Sequence, residues 1–299
     1  MLGAIEAGGT KFVCAVGDEF GNIFDRIQIP TTTPNETIPQ VISFFQNHKI
    51  KAMGIGSFGP IDINANSPTY GNITSTPKQA WADYPFVKEI KKALSFSLPV
   101  GFNTDVNAAA LGEVSFGAAK GLDSCLYITV GTGIGAGAII HGNLLGGYSH
   151  PEMGHILLRR HPKDDFHGKC PIHKDCFEGL ASGPAIEERW GDQGVNLFSK
   201  EEVWDLEGYY IAQALMQYIL ILSPKKIILG GGVMNQKQIF SSIYLYLEKL
   251  LNDYVSLPNF SEYIVSPGLG DRAGITGALL LAMHAYQEQS CKVGDGKNK

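Results

Sequence analysis

Charge is sparse in this chain, and what there is leans negative: 24 Lys and Arg stand against 29 Asp and Glu among 299 residues, for a formal net charge of −5. No basic excess is available to neutralise a nucleic-acid backbone, so no nucleic-acid partner is expected; single phosphates can still be held locally by backbone amides. Long apolar runs are also missing. The longest window, residues 211–222, carries Gln213 and Gln217 and is too short to span a bilayer. The N-terminus has neither a basic head nor an unbroken apolar segment, since Glu6 interrupts it, so no membrane partner is expected either. Cysteines number only five, an odd count, and two of them sit beside histidines rather than at the spacings of a disulfide framework. Reduced thiols and a cytoplasmic setting follow as the expectation. Disorder is excluded as well, because 44% of the residues are hydrophobic and 18% charged, a composition that fills a sizeable core.

Glycine, by contrast, is plentiful, at 36 residues. The stretch CLYITVGTGIGAGAIIH, residues 125–141, reads as a strand, a tight turn at Gly131-Thr132-Gly133 and a returning strand. The same layout opens the chain, where Leu2-Gly3-Ala4-Ile5-Glu6 runs through Ala7-Gly8-Gly9-Thr10-Lys11 into Phe12-Val13-Cys14-Ala15-Val16. A turn without Cβ atoms exposes backbone N–H groups that can surround phosphate oxygens, and a Thr hydroxyl adds a donor. Either turn alone is an ordinary hairpin; the duplication, about one domain length apart, points to two related halves. The expected division is an N-terminal α/β domain over 1–117 and a C-terminal α/β domain over 118–299, with the last helix a candidate to pack back on the first.

Along the chain the spacing predicts a strand over 22–30, a helix over 34–48 and a strand over 51–57, an α/β start with a mixed sheet. A long polar loop to Tyr84 follows, and long loops inside compact domains are usually functional or mobile. Within it Thr76-Pro77-Lys78 and Trp81 are either substrate contacts or, respectively, a solvated charge and a loop anchor. A helix over 86–94 and a strand over 98–102 lead to Asn103-Thr104-Asp105-Val106-Asn107, ahead of an Ala-rich helix over 108–119. A polar tip between strand and helix lies at the carboxyl end of a sheet, where α/β proteins keep their ligands. Asp105 is thus the leading catalytic candidate, the alternative being a helix cap.

In the second half, a short strand is expected to end near Leu158. Cys170-x₂-His173-x₂-Cys176 is then the densest metal signal, because two-residue gaps let thiolates and imidazole turn onto one ion and zinc prefers such S/N sets. His155 is the natural fourth ligand, with His150, His161 and His167 as rivals; a closed Cys₂His₂ set would be structural. Helices are expected from Ala185, over 201–222 and over 238–251, and strands over 225–229 and 262–265. The strand ending at Leu229 runs into Gly230-Gly231-Gly232-Val233-Met234, which permits close approach of a flat ligand. A closing helix over 271–286 and a frayed polar tail from Glu288 complete the reading.

In this order the motifs resemble the ROK family of sugar kinases on the actin-like ATPase (ribonuclease H-like) fold, and most of all its bacterial fructokinase branch. The resemblance covers nearly the full length. It implies two α/β domains with ATP in the cleft between them, hinge closure on the sugar and, usually, a homodimer. It implies Asp105 as general base, with Gly8, Gly9, Thr10, Lys11, Gly131, Thr132 and Gly133 around the phosphates. Pro184, Gly231, Gly232, Val233 and Met234 would line the adenosine pocket. Glu152, His155 and Glu178 would meet sugar hydroxyls, joined from the tip by Asn103 and Thr104, where relatives often carry Asn-Asp. The implied cofactors are Mg²⁺ arriving with ATP and a structural Zn²⁺ on His155, Cys170, His173 and Cys176, where many relatives have three cysteines. The expected reaction converts D-fructose and ATP to D-fructose 6-phosphate and ADP, with mannose, glucose and N-acetylmannosamine as alternative acceptors. ROK-like sugar-sensing repressors carry a helix-turn-helix before the first glycine turn, which here begins at residue 7, so a non-catalytic regulator is the lesser expectation.

Overall fold

A computed structural model describes residues 1–295 and divides by its contacts into two units, Met1–Gly121 with Leu144–His150 and the segment from Gly268 on, and Leu122–Asn143 with Pro151–Pro267. In the first unit β1 (Leu2–Ala7) and β2 (Lys11–Gly17) form an antiparallel hairpin, Leu2 opposite Gly17 and Ala7 opposite Phe12. β3 (Ile23–Pro30) extends it; α1 (Pro34–Gln46) then crosses to β4 (Ala52–Ser57), and α2 (Phe86–Leu94) to β5 (Val100–Thr104), both parallel additions. The sheet order is β3-β2-β1-β4-β5. β1, β2 and β4 are apolar on both faces, as strands covered on both sides must be, whereas β3 exposes Asp25 and Gln28 at the edge. α3 (Asp105–Phe116) follows β5 directly.

The second unit starts with the hairpin of β6 (Cys125–Val130) and β7 (Ile134–Ile140), then β8 (Asn143–Leu144). α4 (Phe177–Ala181), α5 (Gly183–Trp190) and α6 (Glu201–Leu222) precede β9 (Ile227–Gly230), which pairs parallel to β6; α7 (Ile239–Leu251), α8 (Phe260–Tyr263) and β10 (Ile264–Val265) complete the order β10-β9-β6-β7-β8. α9 (Ala273–Asp295) returns to the first unit.

Two cores sandwich the first sheet. Phe12, Phe45, Trp81 and Phe86 fill the face under α1 and α2, while Leu2, Ala4, Val13 and Ala15 meet Ile275, Ala278 and Leu279 of α9 on the other. α9 comes so close that a Cβ on Gly54 would overlap the carbonyl of Ala278, and one on Gly277 the carbonyl of Ala108 in α3. Where the chain leaves the first unit and where it returns, one buried side chain holds both segments. The Glu113 carboxylate accepts from the backbone N–H of Ala118 (2.6 Å), Gly268 (2.9 Å) and Leu269 (2.9 Å).

Several boundaries differ from the sequence reading. α3 begins at Asp105 rather than 108, because Thr104 caps it: its Oγ1 accepts from Asn107 N at 3.1 Å. The strand expected near Leu158 is a single bridge between Leu157 and Cys176. That expected over 262–265 keeps two residues, since Asn259 caps a helical turn through its bond from Ser261 N. The part of the expected frayed tail that is described is helical as far as Asp295, because neither glycine nor proline interrupts residues 278–293; residues 296–299 lie outside the described residues. Among the described residues no helix is long and apolar enough to cross a membrane.

Candidate functional site

In the first unit the β1–β2 turn is braced from inside. Gly8 N donates to Lys11 O at 3.0 Å, Thr31 N to Thr10 O at 3.0 Å, and Thr31 Oγ1 to Gly8 O at 2.8 Å, while the side chains of Thr10 and Lys11 reach solvent. Asp105 sits one residue past the Thr104 cap, at the positive end of α3, where its Oδ1 accepts from Val106 N at 2.9 Å. Asn103 Oδ1 accepts from Thr104 N (2.9 Å) and Asn107 Nδ2 (2.7 Å), which fixes the carboxamide. Thr104 itself is only 5% exposed and its hydroxyl serves the cap, so of these two expected sugar contacts Asn103 is the better placed.

Asp105 lies directly over β4: a Cβ on Gly56 would stand 3.3 Å from its Cα. Gly56 is opposite Glu6 on β1, so strand register brings a second carboxyl to the same place. Glu6 Oε2 is sealed from solvent without a hydrogen-bond partner. Burial pushes this carboxyl up to about 7, and the charges of Asp105 and Asp271 add to the rise against Arg26 and Lys11. In the sequence Glu6 stands only as the residue ahead of Ala7-Gly8-Gly9-Thr10-Lys11. Its signal was a carboxylate inside an otherwise apolar strand, immediately before Ala-Gly-Gly-Thr.

In the second unit the β6–β7 turn, the start of α5 and the β9 loop converge. Gly183 N donates to Gly131 O at 2.7 Å, and a Cβ on Gly131 would lie 3.8 Å from Gly232 N. Gly231 has φ +92°, and any Cβ there would strike the backbone of Val130, so this position needs glycine. Pro184, at the first turn of α5, adjoins Gly183, while Val233 and Met234 are buried behind the loop and Thr132 and Gly232 are exposed. Glu178 braces the same turn by accepting from Ile134 N at 2.9 Å, and a Cβ on Gly133 would meet its Oε2.

Glu152 and His155 flank the one-turn helix Met153–His155, held by Tyr218 OH donating to Met153 O. Glu152 has an exposed surface, yet partial desolvation by the protein near it raises its carboxyl above its ordinary value, with His155 opposing and Glu178 adding to the rise. Glu152, His155 and Glu178 are thus close enough for their charges to act on one another.

His155, Cys170, His173 and Cys176 also come together, their donor atoms all within 4.8 Å of one another. His155 Nδ1 is 3.8 Å from Cys170 Sγ and 3.5 Å from Cys176 Sγ, and His173 Nδ1 is 3.9 Å from Cys170 Sγ. Ligands about 2.0–2.3 Å from a tetrahedral zinc stand about 3.3–3.8 Å apart, so the donor set fits that ion. The rival histidines are elsewhere. His150 Nε2 accepts from Ile61 N at 3.0 Å in the first unit, His161 lies edge-on to Tyr209, and His167 is exposed. A buried network supports the loop before the cluster: Arg189 reaches Asp164 (3.2 Å) and Glu207 (3.5 Å), and burial pushes Glu207 up to about 8 despite that guanidinium.

The sequence profile of the ROK family matches residues 2–285. The chain belongs to the ROK family. It is 63% identical over 294 residues, 97% of its length and 98% of the relative's, to a protein of Bacillus subtilis (strain 168) provisionally named as a fructokinase. To the fructokinase of Pediococcus pentosaceus it is 49% identical, covering 96% of this chain and 99% of that one. Among solved structures, the ROK hexokinase of Thermus thermophilus superimposes with a TM-score of 0.78 at 25% identity over 96% of this chain and 99% of its own. The two mixed sheets of this ROK chain accordingly have the actin-like ATPase fold of the ROK sugar kinases.

Proposed function

We propose that this ROK chain is an ATP-dependent fructokinase that converts D-fructose and ATP to D-fructose 6-phosphate and ADP. The observation that carries the chemistry is the placement of Asp105 at the N-terminal end of α3, over the strand that pairs with the one leading into the first glycine turn. The sugar assignment is supported by five relatives named fructokinase at 41–63% identity, against 28–29% for those named glucokinase.

In the proposed reaction Asp105 takes the proton of the terminal primary hydroxyl as that oxygen forms its bond to the γ-phosphorus and the bond from phosphorus to the ADP oxygen breaks. The transition state of phosphoryl transfer is loose, so alignment and charge stabilisation are the protein's main contributions. Gly8 to Lys11 and Gly131 to Gly133 hold the phosphates in this proposal. Pro184 and Gly231 to Met234 line the adenosine pocket, and Asn103, Glu152, His155 and Glu178 orient the sugar. Glu6 and Asp105 are the first unit's carboxyls that would face a Mg²⁺ bound with the nucleotide, which would supply charge neutralisation at the phosphates. Zinc would be held by His155, Cys170, His173 and Cys176 and would cross-link a loop that has little core of its own. With Nδ1 of His155 turned to the thiolates, Nε2 is the atom that can meet a sugar hydroxyl in a fixed tautomer. A cytoplasmic homodimer completes the proposal, in keeping with five free cysteines.

The test is ADP release over fructose, mannose, glucose and N-acetylmannosamine with the intact protein and with Asp105→Asn. Fructose should be preferred, and the variant should fold yet lose about 10²–10⁴ in turnover, the usual effect of removing a positioned base. Near-normal turnover of the variant refutes the base assignment, and preference for another hexose refutes the substrate.

A further inference from the structure

The loop over residues 58–84 has no role in the reaction as proposed so far, yet it is bolted to the first glycine turn from two sides. Trp81 is 1% exposed, stacks on Phe12 at 5.2 Å, and donates from Nε1 to Thr32 O at 2.7 Å. Phe12 is the second residue after the turn's Thr10, and Thr31, next to Thr32, makes the two bonds that brace Thr10 and Gly8. Thr76 is buried and its Oγ1 accepts from Lys78 N, while Lys78 O accepts from Trp81 N at 2.8 Å. Lys78 is thereby held at both sides of its own backbone.

Its side chain goes to the turn. A Cβ placed on Gly9 would meet Lys78 Cε at 3.5 Å, and nothing else within 4 Å. Gly9 also lacks the positive φ that would demand glycine for conformational reasons, whereas a Cβ on Gly8 would press against Lys11 O at 2.8 Å. At that distance a Cβ would only touch the stem, so the lysine side chain lies against the turn at position 9. A half-buried lysine, pinned through its backbone and lying over a glycine turn, is an arrangement for an anion.

Resting on the reading that the first turn holds nucleotide phosphates, the geometry points to Lys78 as a further catalytic residue whose ammonium touches the oxygens of the γ-phosphoryl group in transfer. Lysine binds phosphate as a point charge on a flexible stem, so it can follow the group as it passes from ADP to the sugar oxygen. The glycine turn supplies fixed donors and Lys78 supplies the charge. The same contact separates ATP from ADP, because only ATP presents the group that the ammonium meets.

The experiment pairs Lys78→Met, which keeps the stem, with Lys78→Arg, which keeps the charge. It measures ADP release with fructose and calorimetric affinity for the magnesium complexes of ADP and of a non-hydrolysable ATP analogue. Lys78→Met should lose on the order of 10²-fold in kcat/KM, as when one charge-stabilising donor is removed. Its affinity for the analogue should fall about tenfold with ADP affinity within about twofold, a difference that general loosening of the loop would not make. Lys78→Arg should recover much of the rate, and Trp81 emission should be unchanged in both. The assignment is overturned if Lys78→Met keeps kcat/KM within about twofold, if ADP and analogue affinities fall alike, or if fructose affinity falls instead. A wild-type protein that releases no ADP with any of the four hexoses overturns the kinase reading and this assignment with it. An active wild type with an unaffected Lys78→Met overturns this one alone.

Discussion

Replacing Glu113 with glutamine changes one atom in a buried carboxylate that accepts three backbone bonds, two on Oε2 and one on Oε1. A glutamine has one acceptor oxygen. Turned toward Ala118 and Gly268 it keeps two bonds and sets its NH₂ against the N–H of Leu269; turned the other way it keeps only Leu269. The first orientation loses less, one charge-assisted bond together with a buried donor facing a donor, and should cost about 2–4 kcal/mol. For domains of this size each kcal/mol moves Tm by roughly 2–4 °C, so a fall of roughly 4–16 °C is expected by calorimetry. Glu113→Ala, leaving all three donors unpaired, should fall further. Hydrogen exchange should localise the effect, with faster exchange at Ala118, Gly268 and Leu269 while α6 keeps its protection. A Glu113→Gln protein within about 1 °C of wild type, or one with unchanged exchange at those amides, would show that the carboxylate does not hold the two crossing segments.

Metal removal should act on stability and on sugar binding together. Chelation, or Cys176→Ala, is expected to lower Tm by several degrees and to weaken fructose affinity through loss of His155 orientation; a stripped protein that retains both defeats the coupling, and metal analysis should find one zinc per chain. The Glu6 carboxyl gives a pH signature. Its value is raised from 4.5 to about 7, so the folded chain holds a proton that the unfolded chain gives up above pH 4.5. Its contribution to stability is therefore full below about pH 4.5, is lost as pH rises through 7, and stays lost above. Glu6→Gln should flatten that part of the ligand-free stability profile, and an unchanged slope between pH 5 and 8 in denaturant titrations speaks against it.

What the sequence disclosed depended on how local each interaction is. α2 and α6 have the bounds that their helical spacing predicts: α2 buries one stripe of Phe86, Val87 and Ile90, and α6 is apolar enough to be buried on all sides from Tyr210 to Leu215. The Cys170–Cys176 cluster was readable for the same reason: three of its donors lie within seven residues, and only His155 had to be found across a loop. The start of α3 was hidden by its alanines, which favour helix but mark no boundary; the boundary is a hydroxyl bond from Thr104 to a residue three places on. Glu6 beside Asp105 could not be seen at all, since it follows from the pairing of β1, β4 and β5 across about a hundred residues. The bond that Glu178 accepts from Ile134 N was hidden for the same reason, since it spans 44 positions. Trp81 had two readings from sequence, and only its burial beside Phe12 decides for the anchor.

The packing of α9 bears on the order in which the molecule can be finished. A ribosome makes β1 and β2 well before the helix that covers Leu2, Ala4, Val13 and Ala15, which lies more than 250 residues further along the chain. At about 5–20 residues per second the interval is on the order of 10–50 s. For that time one apolar side of the N-terminal sheet has no partner in its own chain, while Leu122–Asn143 and Pro151–Pro267 have already left the ribosome ahead of it. The half made earlier is the half that must wait, and a chaperone that shields apolar strands would find its client in the nascent β1–β2 hairpin.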